Sequence, residues 1–199
     1  MVSFGGTGVM VLGALLSGLL CAAVALVAQR RLGVVGAWAV AGFVWSLIVI
    51  ALVTLVPTSA DTGIVPAEGR ATTCSTDLGG PAPQGFWIFD GAQRTLNTVL
   101  FVPSGALLVL AVGRWRAGWL LAPLGLAALA AYSAAIELVQ LELARIDRAC
   151  DVTDVVDNVT GAVVGFGIGL VLLPLLRPWR GGARRGGSPA ADGTRPGPG

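Results

Sequence analysis

The chain has 199 residues, 55% of them hydrophobic and 12% charged, with a formal net charge of +2, no histidine and a mean hydropathy of +0.80. That balance lies outside the range of soluble domains and identifies a membrane protein. The missing histidine excludes His-based triads and His-ligated zinc, so carboxylates are the only acid or base groups left for chemistry.

Five apolar stretches approach or exceed the roughly 20 helical residues needed to cross a hydrocarbon core: 9–28, 34–56, 95–112, 117–136 and 155–176. They predict an all-α fold, a polytopic membrane bundle of five transmembrane helices. The first stretch is not read as a secretion signal, because nothing basic precedes it and Arg30 and Arg31 follow it. The loop 57–93 is rich in Pro, Gly, Thr and Ser and reads as an irregular outer segment. Within it Phe86, Trp87, Ile88 and Phe89 form an apolar patch read as an interfacial anchor, with a lipid or ligand contact as the alternative. Pro103 and Pro123 are expected as helix punctuation. From Arg177 to Gly199 the tail is dominated by Arg, Gly and Pro and is expected to be disordered.

Arginine distribution predicts orientation. Arg30, Arg31, Arg114, Arg116, Arg177, Arg180, Arg184, Arg185 and Arg195 fall on one side of a five-span chain, against Arg70, Arg94, Arg145 and Arg148 on the other. The amino terminus is therefore expected outside and the carboxyl terminus in the cytoplasm. The basic flanks read as anchors beside anionic lipid; no nucleic-acid partner is expected, since no aromatic-interleaved basic platform accompanies them. Cys21 falls within the first span. Cys74 and Cys150 fall one in each outer loop, where an oxidising exterior permits a disulfide, though spacing alone leaves bond and free thiols equally open.

The polar residues of the second half recur at helical spacing. Ser133, Glu137 and Gln140 stand at i, i+4 and i+7, and Asp151, Asp154, Asn158, Gly161 and Gly165 at i, i+3, i+7, i+10 and i+14. Ionisable groups at such depth mark a paired structural network or a functional site. Gly161, Gly165 and Gly169 form a ladder of small residues that predicts a helix-packing face, with the fourth span as its expected partner. Together with Arg94 and Asn97 at the start of the third span, and Arg148, these residues predict a three-helix meeting point near the outer leaflet: Arg94, Asn97, Ser133, Glu137, Gln140, Arg148, Asp151, Asp154 and Asn158.

Four blocks in order now resemble a known family. Thr54-Leu55-Val56-Pro57 is similar to its TLxP, and the segment Asn97 to Gly105 to its N-x-x-x-F-x-P-x-G. Ser133, Glu137 and Gln140 resemble its third block, and Arg148, Asp151, Asp154, Asn158, Gly161 and Gly165 its R-x2-D-x2-D-x3-N-x2-G-x3-G run. This is the VanZ-like family, named for an accessory protein associated with teicoplanin resistance. The resemblance covers roughly Trp45 to Leu176 and implies a VanZ-like membrane domain, assigned here to 34–176, preceded by an additional helix and inner loop in 1–33 and followed by the tail 177–199. It implies a cell-envelope role connected with glycopeptide tolerance, with no settled mechanism. Departures are the first helix, an additional Asp157, read as facing water or an arginine, and Cys150 where the family tends to be apolar or aromatic. Absence of lysine with abundant Ala, Gly, Val and Arg suggests a bacterial source, and hence the bacterial cytoplasmic membrane.

Three chemistries fit the polar residues. Arg94 or Arg148 neutralises Glu137 or Asp154 in a packing network; or the arginines meet the headgroup of a lipid, a lipid-linked species or a lipoglycopeptide amphiphile; or Glu137 or Asp154 acts as a general base in a membrane enzyme working on a lipid-linked envelope precursor, with or without Mg²⁺ held by carboxylate and amide oxygens. The reading adopted from sequence is a non-enzymatic envelope factor binding an amphiphile, without a resident cofactor. Partnership with another membrane protein through the glycine face is the remaining alternative. Phosphoryl transfer is unsupported, as no phosphate loop with its lysine exists, and a polar cluster at one leaflet fits a surface-facing pocket better than a transport path.

Overall fold

The computed structural model describes residues 6–57, 73–75, 92–143 and 150–178. They form five helices: α1 Thr7–Leu32, α2 Val34–Leu55, α3 Ala92–Val112, α4 Gly118–Leu143 and α5 Val152–Leu176. All five are long and apolar enough to span a bilayer. Leucines and valines cover their outward faces, an arrangement stable only where the solvent is lipid. The Phe86–Phe89 patch and the tail beyond Pro178 lie outside the described residues.

Four helices overrun the span set by hydropathy at one end or both, for reasons visible at their ends, while α2 keeps to its span and stops at Leu55. The end of α1 carries Arg30 and Arg31, whose charge suits a helix C-terminus and whose stems stay apolar. Gly33 alone joins α1 to α2, in a backbone conformation with φ of 73° that favours glycine. At the other end of the molecule, α4 continues past Ile136 through Glu137 and Gln140 because both side chains find partners there. Pro103, Pro123 and Pro174 sit inside α3, α4 and α5 without ending them, and the first two fall within the expected spans 95–112 and 117–136. Proline in a membrane helix is tolerated where local adjustment and neighbours satisfy the freed carbonyl.

Helix α5 packs most extensively on α3, not on α4. The carbonyl oxygens of Thr98 and Val102 occupy the places that Cβ atoms on Gly161 and Gly165 would need, and a Cβ on Gly169 would stand 2.7 Å from the carbonyl of Ala106. Gly105 of α3 admits the backbone of α5 at Ala162 in return. The expected pairing of the glycine ladder with the fourth span is therefore corrected: its partner is the third. Thr98, Val102 and Ala106 recur every four residues along α3, a row of modest side chains that lets the backbones meet.

Helix α4 closes the bundle over a core of Ile50, Phe101, Leu108, Leu129, Ile136 and Ala162. Tyr132 stacks obliquely on Phe101, with ring centroids 6.5 Å apart, and its hydroxyl donates to the Leu47 carbonyl at 2.8 Å. Deeper in the bundle Ser104 donates to Ser46 at 2.9 Å, and Ser46 to the Phe43 carbonyl. Helix α1 lies against α2, where Gly18 makes room for Trp45, whose indole N–H donates to the Ala14 carbonyl at 2.9 Å. Arg114, from the α3–α4 turn, donates to the Leu32 carbonyl at the end of α1. The antiparallel order places two chemically distinct ends: one with Arg30, Arg31, Arg114, Arg116 and Arg177, the other with Pro57, Thr73–Ser75, Arg94, Glu137 and Asp151.

Candidate functional site

The polar end is assembled from four helices. Ser133, Glu137 and Gln140 are all buried, on the inner face of α4. Gln140 donates through Nε2 to the Thr54 carbonyl at 2.9 Å. That carbonyl belongs to the last turn of α2, where helix geometry leaves acceptors without an intrahelical donor. Two turns inward along α4, Asn158 of α5 donates through Nδ2 to Ser133 Oγ at 2.9 Å, tying α5 to α4. Asn158 Oδ1 is buried and accepts no hydrogen bond among the described residues.

The start of α5 is the most heavily wired point. Asp151 is its N-cap, with Oδ1 accepting from the Thr153 amide at 2.8 Å. The Asp151 amide donates to Glu137 Oε2 at 3.2 Å. Asp154 follows in the first turn, buried, where a carboxylate is favoured by the positive end of the helix dipole. The segment Thr73–Ser75 is pinned alongside. Cys74 is disulfide-bonded to Cys150, with Cα atoms 4.6 Å apart. Ser75 makes a parallel bridge with Asp151, its amide donating to the Cys150 carbonyl at 2.9 Å and its carbonyl accepting from Val152 at 3.0 Å. The question that spacing left open is thus answered by a bond.

Arg94 of α3 pairs with Asp157. Its Nε and Nη2 donate to the two carboxylate oxygens at 2.8 and 3.0 Å, the planar fork that arginine makes with a carboxylate. The hydrogen-bonded partner of Arg94 is thus Asp157 rather than Glu137 or Asp154, in agreement with the reading of Asp157 as facing water or an arginine, and Asp157 joins the residues grouped at this end. A signal existed: Asp157 stands three residues beyond Asp154, one helical turn along the same face. Asn97, also expected, is buried one turn inward of Arg94. Arg148 lies outside the described residues. No sequence signal pointed to Thr54 as an acceptor, since the group used is its backbone carbonyl.

The structure therefore brings Ser133 to Asn158, Glu137 to Asp151, Gln140 to the end of α2 and Arg94 to the second turn of α5, all at one end of the bundle. Among the described residues no three His, Cys, Asp or Glu side chains lie close enough to hold a metal ion. The polar groups close helix ends and link spans, and Arg94 keeps a full charge partly exposed at that end: 33% of its side chain is accessible, against 11% for Asp157.

Comparison with protein families matches residues 43–173 to the family described as VanZ/LLP1, well over half of the chain. Comparisons with curated proteins and with solved structures return no match. The match begins midway along α2 and ends near the close of α5, so it takes in Thr54, the α3–α5 glycine contact and every polar residue of the cluster, and leaves α1 outside. On that coverage the chain belongs to the VanZ/LLP1 family.

Proposed function

We propose that this protein is a non-enzymatic factor of the bacterial cell envelope that binds the anionic headgroup of an amphiphile, a lipid or a lipoglycopeptide of the teicoplanin type, at the outer leaflet of the cytoplasmic membrane. The observation that carries this reading is the state of Arg94. Of the five N–H donors of a guanidinium, two are spent on Asp157, and the side chain stays one-third exposed in the first turn of α3. At headgroup depth a fixed, partly wet guanidinium with donors to spare suits a phosphate or carboxylate oxygen, to which it can present a second planar edge. Asp157 holds it in place, and the buried wiring of Glu137, Asp151 and Gln140 makes the surrounding helix ends rigid.

Orientation is part of the proposal. The arginine-rich end is assigned to the cytoplasm by the excess of positive charge in its short turns, and the disulfide at the opposite end suits an oxidising exterior. Reporter fusions after Arg31, Arg116 and Arg180 are expected to report cytoplasmic positions, and one after Ala82 an external position. An external Arg116 overturns the assignment.

The binding reading is tested on purified protein by native mass spectrometry of co-purified lipid and by titration with vesicles containing anionic lipid or with teicoplanin. Arg94→Gln in folded, inserted protein is expected to weaken binding about tenfold, the loss of one charged hydrogen-bonding group. Glu137→Gln and Asp154→Asn should weaken it less, through positioning. Wild-type affinity in all three variants rejects the site. Binding of vesicles but not of teicoplanin identifies the headgroup phosphate as the ligand, and the reverse identifies the antibiotic.

A further inference from the structure

We propose that the Cys74–Cys150 bond is a thiol-sensitive latch on the first turn of α5, opened by an extracytoplasmic dithiol. The inference does not rest on the amphiphile reading. Three attachments converge on Cys150–Val152: the disulfide, the two hydrogen bonds of Ser75, and the contact of the Asp151 amide with Glu137. The first two come from one short outer segment, Thr73–Ser75, and among the described residues they are the bonds that join it to α5. Losing the covalent bond therefore leaves two backbone hydrogen bonds to hold that segment in competition with water, each worth about 1 kcal/mol net.

The rest of α5 does not depend on the latch. From Asp157 onward it is held by the Arg94 ion pair, by Asn158 on Ser133, and by the interlocked backbones at Gly161, Gly165 and Gly169. Opening is consequently local. It frees Cys150–Val152 and withdraws the Asp151 N–H from Glu137, while α3 and α5 stay together.

The two sulfurs differ in access. Cys150 is 2% exposed, whereas Cys74 is only partly buried. A thiolate of the dithiol attacks Cys74 Sγ, breaking the S–S bond and expelling Cys150 as a thiolate that takes up a proton. The second thiol of the reductant, as thiolate, then attacks its own sulfur in the mixed disulfide and releases Cys74, which is protonated in turn. Two electrons and two protons pass to the protein, and the dithiol leaves as a disulfide.

The test uses full-length protein in lipid nanodiscs with Cys21→Ser as background, oxidised or treated with dithiothreitol, with thiol labelling to count opened bonds. Hydrogen exchange is followed in 150–156 and in 161–176. Reduction is expected to speed exchange at least about tenfold in the first segment and to leave the second unchanged, the behaviour of a local opening. The Cys74→Ser, Cys150→Ser double variant should show the fast pattern without reductant and no response to it. The proposal is overturned by a bond that dithiothreitol leaves closed in folded protein, by unchanged exchange in 150–156 after opening, by acceleration of both segments together, or by a double variant that still responds to reductant.

Discussion

Gly165→Ala should separate α3 from α5 and destabilise the protein by about 3 kcal/mol or more, at the upper end of what overpacking a close contact costs. A single added carbon at this position falls on the carbonyl oxygen of Val102. That atom is backbone in the interior of α3, so no side-chain rotation relieves the clash and one whole helix has to move. Moving it also disturbs the matching contacts of Gly161 with Thr98 and of Gly105 with Ala162. In lipid this loss is not offset by apolar transfer, because separated helices bury their surfaces in hydrocarbon equally well and only close packing favours association. Gly167 supplies the control: it lies on the same helix with nothing within 4 Å of its missing Cβ. Gly167→Ala is expected to change stability by no more than about 0.5 kcal/mol. Reversible unfolding in mixed micelles titrated with dodecyl sulfate measures both, and equal midpoints for the two variants would refute the packing account.

This contact also separates what could be read along the chain from what could not. The spacing of Gly161, Gly165 and Gly169 identified a close-packing face, because a period of four on a helix is a local property. Which helix fills that face depends on the rotation of every span about its axis, and nothing in a run of leucine and valine encodes it. The five spans were legible because burial in hydrocarbon demands about 20 apolar residues, yet their ends were not. Hydropathy stops where Glu137 begins, whereas the helix stops where hydrogen bonding does. Glu137, Gln140, Asp151 and Asn158 were placed together correctly at one end, since their faces follow from periodicity. Their partners were legible only in part: Asp157, expected to face water or an arginine, does meet Arg94, whereas Gln140 closes α2 through a backbone carbonyl, which carries no sequence signal. Cys74 and Cys150 were placed in facing loops, but whether they meet depends on a distance across a 76-residue separation that only the fold supplies.

Arg94 and Asp157 should prove energetically coupled, and unequally sensitive to loss of one partner. Removing a single member of a buried ion pair costs about 3–5 kcal/mol. With the Arg94 side chain one-third exposed, solvent and headgroups screen the pair, and about 2 kcal/mol is the appropriate scale for Arg94→Ala. That variant strands a carboxylate in the second turn of α5, 11% exposed and facing α3, which then has to take up a proton or draw in water. Asp157→Asn should cost less, near 1 kcal/mol, because the released guanidinium sits on a long stem and swings to the lipid headgroups. A double-mutant cycle with Arg94→Gln and Asp157→Asn measures the coupling directly. A coupling near 1 kcal/mol or above is expected at low salt, shrinking as salt rises because the guanidinium side is wet. Additive single variants would show that the two side chains merely lie together. The exchange Arg94→Asp with Asp157→Arg completes the argument: it restores the opposite charges between α3 and α5 but places the arginine on the buried side. Recovery should therefore be partial, exceeding the Arg94→Asp single variant, in which two carboxylates face each other, and falling short of the native pair, whose guanidinium stands where water and headgroups reach it.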